Sequence, residues 1–375
     1  MVAVFDIRKV DQSLDVASYL NDHGIVYRTR GMRNGLMPRE RMLRAIGRQS
    51  VDRLPVQINY TGLMGKKLAA HFGCSMADLP RRLDNHLLRV DLTHRRNVHL
   101  HDGKEVAYDW WGAGWDANSE GYLHAFAPLN NSMDLSGIDW PDPEDPDLFK
   151  EASCLIGNDK GMHFIVPNLG MCLFERAWSL RGFDQFLMDL VTEPAWAEDL
   201  LEKITEIQVR IAQRFVLLGV NGGYLGDDYG AQRSMLFSPR IWRRLFKPRL
   251  ARIFAVFRNA GLPVIFHSDG DIWEILPDLI DIGLSCLNPV QPEVLHHERL
   301  FREYGKHLSF YGGISTQNVL PHGTPEEVAQ AVKECTQNLA PDQTGLVLGP
   351  SHRMQSDIPI RQIEAMLSAF PIDKP

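Results

Sequence analysis

A histidine and an aspartate follow a short apolar segment of the chain. Enzymes commonly use the imidazole and carboxylate groups of these side chains to transfer protons. The apolar segment 264–266 leads directly into His267, and Asp269 follows two positions later. Side chains two apart in an extended chain point the same way, so His267 and Asp269 share a face. Gly270 permits a sharp turn, and apolar residues then recur at helical spacing. The pattern predicts a buried strand that presents both groups at its carboxyl end and is followed by a helix.

Similar units recur along the chain. The predicted strands occupy 54–60, 87–92, 163–167, 223–226, 264–267, 286–290, 308–311 and 345–348. The predicted helices occupy 38–46, 64–73, 76–86, 183–192, 194–218, 238–260, 272–282, 293–305, 325–338 and 358–370. Eight strands alternating with helices predict an α/β fold of the (β/α)8 TIM-barrel type. An open doubly wound sheet is the alternative, but no GxGxxG dinucleotide motif follows the first strand.

Two additions to the barrel are expected within a single domain that spans 1–375. Residues 1–37 have weak periodicity and predict an N-terminal extension. Residues 97–129 alternate apolar and polar positions around the dipeptide Asp102–Gly103, which is typical of a hairpin turn. We therefore predict a β-hairpin insertion at 97–129.

Polar residues repeatedly follow the predicted strands. Because the strands of such a barrel place their carboxyl ends at one mouth, these residues predict a pocket there. They are Asn59, Tyr60, Asp91, Asn168, Asp227, Asp228, His267, Asp269, Asn288, Gln291, Gln317, Ser351 and His352.

Several of these residues have a simpler structural interpretation. Asp227 and Asp228 precede a glycine at position 230 and are compatible with an ordinary turn, as is the Asn288–Pro289 dipeptide. His267 is compatible with a core histidine, although Asp269 on the same face favours a functional role. Glu175 is compatible with a local ion pair to its neighbour in the chain. Adjacent residues of an extended chain face opposite sides, so the two aspartates are expected to differ in role.

Composition excludes several classes of protein. The formal net charge of −7 argues against a nucleic-acid or membrane-surface binder, both of which need a basic surface. The sequence has no signal-like segment and no apolar run long enough to span a membrane, so we expect a cytoplasmic protein. Its five cysteines are scattered without a CxxC pair, which disfavours a disulfide framework and a thiolate-only zinc site.

Five motifs, in order along the chain, resemble those of the uroporphyrinogen decarboxylase superfamily, and within it the branch of corrinoid-dependent methyltransferases. The motifs are GDDYGAQ at 226–232, HSDGD at 267–271, LNPVQP at 287–292, GGISTQ at 312–317 and GPSHRMQ at 349–355. The resemblance extends over nearly the whole chain and implies a (β/α)8 barrel, in agreement with the strand count.

The resemblance disfavours porphyrinogen as a substrate. The decarboxylases of this superfamily carry two arginines just after the first strand, and these hold the substrate carboxylates. In this sequence Tyr60 and Met64 stand at those positions. Without the two cations, a highly charged porphyrinogen would leave its carboxylates poorly paired.

The resemblance also implies a candidate zinc site. Methyltransferases of this branch bind zinc through His-x-Cys and a later cysteine. Here His267 and Asp269 match the first motif with aspartate in place of cysteine, and His352 lies near the later cysteine. Two imidazoles and a carboxylate are an accepted zinc ligand set that leaves a position open for substrate. The alternative is a metal-free site in which the same residues bind substrate directly.

The function implied is transfer of a methyl group from a small methoxylated or methylated substrate, as in O-demethylation, to the cobalt of a separate corrinoid protein. The sequence contains no corrinoid-binding Asp-x-His-x-x-Gly motif, so a partner would supply the cobamide. Proton transfer is assigned to Asp228 or Asp227 together with His267. Substrate binding is assigned to Asn59, Tyr60, Glu175, Gln232, Asn288, Gln291, Gln317 and Ser351. A homodimer is a further expectation, and the alternative functions are a metal-free decarboxylase or lyase acting on a small acid, or a binding subunit without activity.

Overall fold

The computed structural model of the chain describes residues 35–93, 97–121 and 123–371. The N-terminal extension expected at 1–37 lies almost entirely outside the described residues.

Within the described residues, seven parallel strands form one sheet, so the protein is mixed α/β. Neighbours in the sheet follow the order of the chain, and the strand Leu87–Val90 is paired directly with Phe164–Leu169. The strands are β1 (Leu87–Val90), β6 (Phe164–Leu169), β7 (Gly223–Gly226), β8 (Val264–His267), β9 (Cys286–Asn288), β10 (Ser309–Ile314) and β11 (Leu346–Pro350). In this register Gly226 pairs with His267, and His267 pairs with Asn288. The ends of three consecutive strands therefore meet at one level.

The first predicted strand, 54–60, contacts both edges of this sheet. The Gln57 amide donates to the Leu348 carbonyl oxygen at 3.0 Å, and the Leu348 amide donates to the Pro55 carbonyl oxygen at 2.8 Å. On the other side, the His86 amide donates to the Val56 carbonyl oxygen at 3.1 Å, just before β1 begins. This arrangement is consistent with the predicted barrel.

Helices connect the successive strands. In chain order they are α1 (Pro38–Ile46), α2 (Gly62–Phe72), α3 (Leu79–Arg82), α4 (Lys150–Asp159), α5 (Phe174–Arg181), α6 (Phe183–Thr192), α7 (Pro194–Leu217), α8 (Pro239–Leu245), α9 (Lys247–Asn259), α10 (Leu276–Asp281), α11 (His297–Tyr304), α12 (Val319–His322), α13 (Pro325–Leu339) and α14 (Ile360–Ala369). Short 3₁₀ turns occupy Leu135–Gly137, Pro146–Phe149 and Trp273–Ile275. Among the described residues, no helix is both long enough and apolar enough to cross a membrane.

Several of the predicted helices are broken or shortened, and two show this most clearly. The helix expected at 238–260 is two helices, α8 and α9, because Pro248 lacks the amide hydrogen that would bond one turn back. The helix expected at 76–86 is reduced to the single turn α3. Asp84 has a φ of 56°, which ends the helical path. Asn85 then accepts a hydrogen bond from the Ile58 amide at 2.8 Å, directing the chain into β1.

Alternation along the strands divides the core into two regions. Side chains on one face of the strands, such as Leu225, Phe266 and Leu287, belong to the large core that includes helical residues. Those on the other face form a second buried cluster closed from one end by α1. Its members are Met42, Ile46, Leu87, Phe164, Val166, Tyr224, Ile265, Cys286, Tyr311 and Val347. The next residues on that face, two positions further along β1, β6, β8 and β9, are Arg89, Asn168, His267 and Asn288, so polar residues lie directly above an apolar layer.

The predicted insertion contains four antiparallel strands, β2 (Asn97–His101), β3 (Lys104–Tyr108), β4 (Gly114–Asp116) and β5 (His124–Phe126). Asp102 and Gly103 join β2 to β3 with φ values of 48° and 77°, the positive values that a tight two-residue hairpin turn requires. Glu120 fastens this sheet to the rest of the protein. Its carboxylate accepts hydrogen bonds from the Thr61 hydroxyl at 2.5 Å and the Ser356 hydroxyl at 2.7 Å.

The buried His86 predicts a pH-dependent stability. Arg41 is only a donor, so its contact of 2.6 Å makes His86 Nε2 an acceptor, and Nδ1–H donates to the Asp84 carbonyl oxygen at 2.7 Å. Burial lowers the pKa of His86 from 6.5 to about 4. The unfolded chain therefore binds this proton first as pH falls. We expect the unfolding free energy to drop between pH 6.5 and about 4, by on the order of 3 kcal/mol from this residue.

Urea unfolding of wild type and His86→Gln at several pH values measures this contribution. The His86→Gln variant should show a shallower fall, whereas His307→Gln, at an exposed position, should follow the wild type. Parallel curves for wild type and His86→Gln would contradict the assignment.

Candidate active site

Two imidazoles and a carboxylate converge beyond the carboxyl end of β8. His267 Nε2 lies 3.8 Å from Asp269 Oδ1, and His352 Nε2 lies 3.7 Å from Asp269 Oδ2. The candidate ligand atoms of these three residues, which we call the His–Asp–His cluster, all lie within 4.8 Å of one another. His352 is 40% exposed and Asp269 is 33% exposed, so the cluster can be reached from solvent. Two surface grooves, of about 530 and 290 Å³, lie elsewhere, and no member of the cluster lines either of them.

Asn288 fixes the orientation of the His267 ring. The Asn288 side-chain amide donates to the Tyr311 carbonyl oxygen at 3.0 Å, which turns its Oδ1 toward His267 Nδ1 at 2.6 Å. The Tyr224 hydroxyl donates to the same Oδ1 at 2.8 Å. His267 Nδ1 therefore carries the hydrogen, and the lone pair of Nε2 faces Asp269. An imidazole held in this way is prepared either to bind a metal or to accept a proton.

The adjacent aspartates Asp227 and Asp228 have different environments, as the alternation of an extended chain predicts. Asp228 is partly exposed, accepts a hydrogen bond from the Asp269 amide at 2.8 Å and lies 3.8 Å from His267 Nε2. Its partial burial raises the pKa of the carboxyl above the usual value. Asp228 therefore lies against the His–Asp–His cluster.

Asp227 is fully buried behind the cluster. Its carboxylate accepts hydrogen bonds from the amides of Leu173, Phe174 and Glu175 at 2.8, 3.0 and 2.9 Å, and from the Tyr229 hydroxyl at 2.7 Å. These amides lie at the start of α5, so a buried carboxylate satisfies donors that the helix leaves unpaired. Asp227 thereby anchors α5 to the end of β7.

Glu175, in the first turn of α5, is placed near the cluster by this anchor. Burial and the negative charges of Asp228 and Asp227 raise the pKa of the Glu175 carboxyl well above its usual range. The charged form of Glu175 is therefore disfavoured relative to an exposed glutamate.

The remaining predicted substrate-binding residues divide into two groups. Asn59 Nδ2 donates to the Tyr311 hydroxyl at 2.7 Å, and Ser351 is buried with its Oγ 3.2 Å from the Thr316 amide. Both therefore lie among or beside the polar residues above the apolar layer. Tyr60, the residue after Asn59, is half-buried. Gln232 and Gln317 are exposed. Gln291 is buried, and its Nε2 lies 3.4 Å from Gln232 Oε1.

Sequence reasoning did not select Arg89, Tyr224 or Arg353 as residues of the site. The Arg89 guanidinium lies 5.2 Å from the centre of the Tyr224 ring. The sequence did contain a signal for Arg89. It is a charged residue within an apolar strand segment, and it lies two positions after Leu87, on the same face of the strand. Arg353 directly follows His352 within a motif from which only Ser351 and His352 were selected.

Two glycines, Gly230 after β7 and Gly270 after β8, allow the segments that follow these strands to come into contact. A β-carbon on Gly230 would lie 2.5 Å from the Asp271 amide nitrogen and 2.9 Å from the Asp269 carbonyl oxygen, both closer than contact allows. Gly230→Ala should therefore displace Asp269. We expect a loss of about 1–3 kcal/mol in unfolding free energy and a fall in activity of up to roughly 100-fold.

Gly157→Ala provides the matched control, because Gly157 lies in α4 and a β-carbon there meets nothing within 4 Å. It should leave activity unchanged and stabilise the helix slightly. Full activity and full stability in Gly230→Ala would show that the two segments tolerate separation.

The chain is similar to several known proteins in sequence and in fold. The sequence profile of the family described as "Uroporphyrinogen decarboxylase (URO-D)" matches residues 173–371. The chain is 25% identical over 175 residues to a methylated-thiol–coenzyme M methyltransferase of Methanosarcina mazei. That alignment covers 47% of this chain and 45% of the relative, so the chain spans less than half the length of this curated protein.

A solved structure described as a methyltransferase from Methanosarcina mazei matches the fold. Its TM-score is 0.66 at 19% sequence identity, and the match covers 89% of this chain and 98% of that one. The likeness supports the same overall architecture.

Proposed function

The chain belongs to the uroporphyrinogen decarboxylase (URO-D) family, and on this premise we propose that it is a methyltransferase. The proposed reaction moves a methyl group from a small methoxylated or methylated substrate to the cobalt of a separate corrinoid protein. The observation that carries the proposal is the His–Asp–His cluster, which lies at the strand ends where barrel enzymes place their chemistry. The related proteins named as methyltransferases support the reaction class.

We propose zinc as the ion held by His267, Asp269 and His352. Ligands about 2.0–2.2 Å from a tetrahedral zinc lie roughly 3.3–3.6 Å apart. Each imidazole is close to that spacing from one oxygen of Asp269, at 3.8 Å from Oδ1 for His267 and 3.7 Å from Oδ2 for His352, and all three ligand atoms lie within 4.8 Å of one another, so a small contraction would be needed to bind the ion. The ring orientation imposed by Asn288 also leaves His267 Nε2 free to coordinate. Zinc bound there would act as a Lewis acid toward the oxygen or sulfur that carries the methyl group.

The roles of the chain's own residues follow from their positions. Asp228 is the proposed proton carrier, because it faces the cluster and its pKa is raised. Glu175, in the first turn of α5, is proposed to bind the substrate with a carboxyl whose pKa is raised by burial and by the charges of Asp228 and Asp227. Asp227 is proposed to act indirectly by holding α5, because its carboxylate is already occupied by four donors.

Two further features belong to the proposal. Residues 54–60 are proposed to act as an eighth strand that closes the barrel, since they hydrogen-bond toward both sheet edges. The cobamide is proposed to arrive on a partner protein at the strand-end mouth, because the methyl group must be within reach of the cobalt.

A reconstituted methyl-transfer assay tests the proposal. Purified protein, analysed for bound metal, is mixed with a reduced corrinoid protein and a panel of methoxylated aromatics and methylated thiols. Methylation is followed by the change in corrinoid absorbance. Donor-dependent methylation that stops with a chelator and returns with zinc is the expected result. Turnover by metal-free protein in the presence of chelator would assign the cluster to direct substrate binding instead.

A further inference from the structure

The antiparallel insertion connects two segments that carry residues of the site. One of them is α5, which carries Glu175 in its first turn. Asp109, directly after β3, accepts a hydrogen bond from Arg176 of this helix at 2.6 Å. The other is the segment after β11, which carries His352 and is contacted by Glu120 in the turn between β4 and β5. The insertion therefore spans from α5 to the segment of His352.

Glu120 makes three hydrogen bonds at this second contact. Its Oε1 accepts from the Thr61 hydroxyl at 2.5 Å and from the Ser356 amide at 2.8 Å, and its Oε2 accepts from the Ser356 hydroxyl at 2.7 Å. The Thr61 and Ser356 hydroxyls hold the pKa of the Glu120 carboxyl below its usual value, so the group is ionised at neutral pH. Hydrogen bonds to an ionised acceptor are stronger than those between neutral groups. The exposed Lys67 adds a hydrogen bond of 3.1 Å to the Ser356 carbonyl oxygen.

The segment 351–359, which joins β11 to α14, is held by few backbone bonds. The structure describes all of this segment and shows neither a helix nor a strand in it. The Ser351 amide donates to the last carbonyl oxygen of β10 at 2.7 Å. The Met354 amide donates to the Asn59 carbonyl oxygen at 2.9 Å, and the Met354 carbonyl oxygen accepts from the Thr61 amide at 3.0 Å. His352 lies between these two attachment points.

We propose that Glu120 is a positioning residue for His352, and that the insertion holds this corner of the His–Asp–His cluster in place. This inference rests on the role proposed for the cluster. The backbone pairing at Met354 is an isolated bridge, and pairings of this length open readily when nothing holds their ends. Glu120 holds the end of this one, because it binds Thr61 on one side and Ser356 on the other with a single carboxylate.

Hydrogen exchange followed by mass spectrometry tests the clamp in metal-free protein. In Glu120→Ala, peptides that cover 351–356 should exchange about tenfold or more faster than in the wild type, because the Ser356 amide loses an ionised acceptor. Peptides that cover β8 should exchange as in the wild type. This pattern would locate the effect in the segment that carries His352.

Zinc affinity, measured by competition with a chromogenic chelator, reports the effect on the cluster. Glu120→Ala should weaken zinc binding about tenfold, within the range found for residues that orient a metal ligand. Adding Glu120→Ala to His352→Ala should weaken it no further, because Glu120 acts through His352. Glu120→Gln should keep most of the affinity, since its amide oxygen can accept from the Ser356 amide and its NH₂ group can donate to the Ser356 hydroxyl.

Two further variants serve as controls. Glu105→Ala is the matched one, because Glu105 is an exposed glutamate of the same insertion and accepts a hydrogen bond from Asn118 at 3.2 Å within it. It should leave both exchange and zinc affinity unchanged. Ser356→Ala removes one bond of the clamp from the other side and should reproduce part of the effect, even if Glu120→Ala disturbs the insertion.

The proposal is overturned if Glu120→Ala leaves the exchange of 351–356 unchanged, if exchange rises equally in β8, or if zinc affinity stays at the wild-type value. It is also overturned if the loss of affinity is as large in the His352→Ala background as in the wild type. A wild-type protein that binds no zinc would reject the proposed metal site, and the exchange of 351–356 would then decide the positioning of His352 by itself.

Discussion

Replacing His352 with alanine is expected to lower zinc content and methyl transfer together. His352 contributes one of the three ligand atoms of the His–Asp–His cluster, and its Nε2 lies 3.7 Å from the Asp269 carboxylate. Loss of a residue that merely supports a ligand costs about 10–100-fold in metal affinity, so loss of a ligand should cost at least as much. Metal analysis after dialysis and the corrinoid methylation assay measure the two quantities on the same preparation.

His296→Ala is the matched control, because His296 is an exposed histidine on the segment before α11. It should keep both the metal and the activity. If His352→Ala lost activity but retained stoichiometric zinc, His352 would be a substrate-binding residue and the ligand set would be wrong.

Asp227 and Asp228 are expected to give opposite phenotypes although they are neighbours in the chain. Asp227→Ala removes the acceptor of three backbone amides and of the Tyr229 hydroxyl in a fully buried position. Each buried donor left unpaired costs about 1–3 kcal/mol, so the unfolding free energy should fall by roughly 3 kcal/mol or more. Asp228→Asn should keep nearly the stability of the wild type and lower turnover by about 100-fold or more, as expected for a proton carrier.

Urea unfolding and steady-state kinetics separate these two effects. Tyr229→Phe serves as the graded control, since it removes only one of the four bonds to Asp227 and should cost about 1 kcal/mol. A stable Asp227→Ala variant with lost turnover, or a fully active Asp228→Asn variant, would reverse the roles assigned here.

Sequence reasoning located the strands well because each is a short apolar segment bounded by turn residues. The predicted strands 223–226 and 264–267 have the bounds observed for β7 and β8. The same reasoning extended the helix at 238–260 through Pro248, because apolar periodicity continues across a break that a missing amide hydrogen imposes. The family resemblance inferred from the motifs is confirmed by the URO-D match.

The candidate site was only partly accessible from sequence, for a physical reason. The shared face of His267 and Asp269 follows from spacing within one strand, and so does the expectation that Asp227 and Asp228 differ. Which aspartate faces the pocket depends on α5, some fifty residues earlier in the chain, whose amides occupy Asp227. Contacts between distant elements leave no periodic pattern within either segment. Arg89 was passed over for the same reason, since its relation to Tyr224 exists only across strands.

On the inner face of the sheet, the residues that hold the strands together are separate from the residues that form the candidate site. The apolar layer, with residues such as Ile265 and Cys286, holds the strands together, while the residues one step further along the same face, His267 and Asn288, contact the site. A combinatorial library at these outer positions is therefore expected to alter the site while keeping the apolar layer, provided that Asn288 is left in place, because its buried amide also bonds the Tyr311 carbonyl oxygen. Substitutions at the strand ends are therefore expected to change the reaction at a smaller cost in stability than substitutions in the apolar layer.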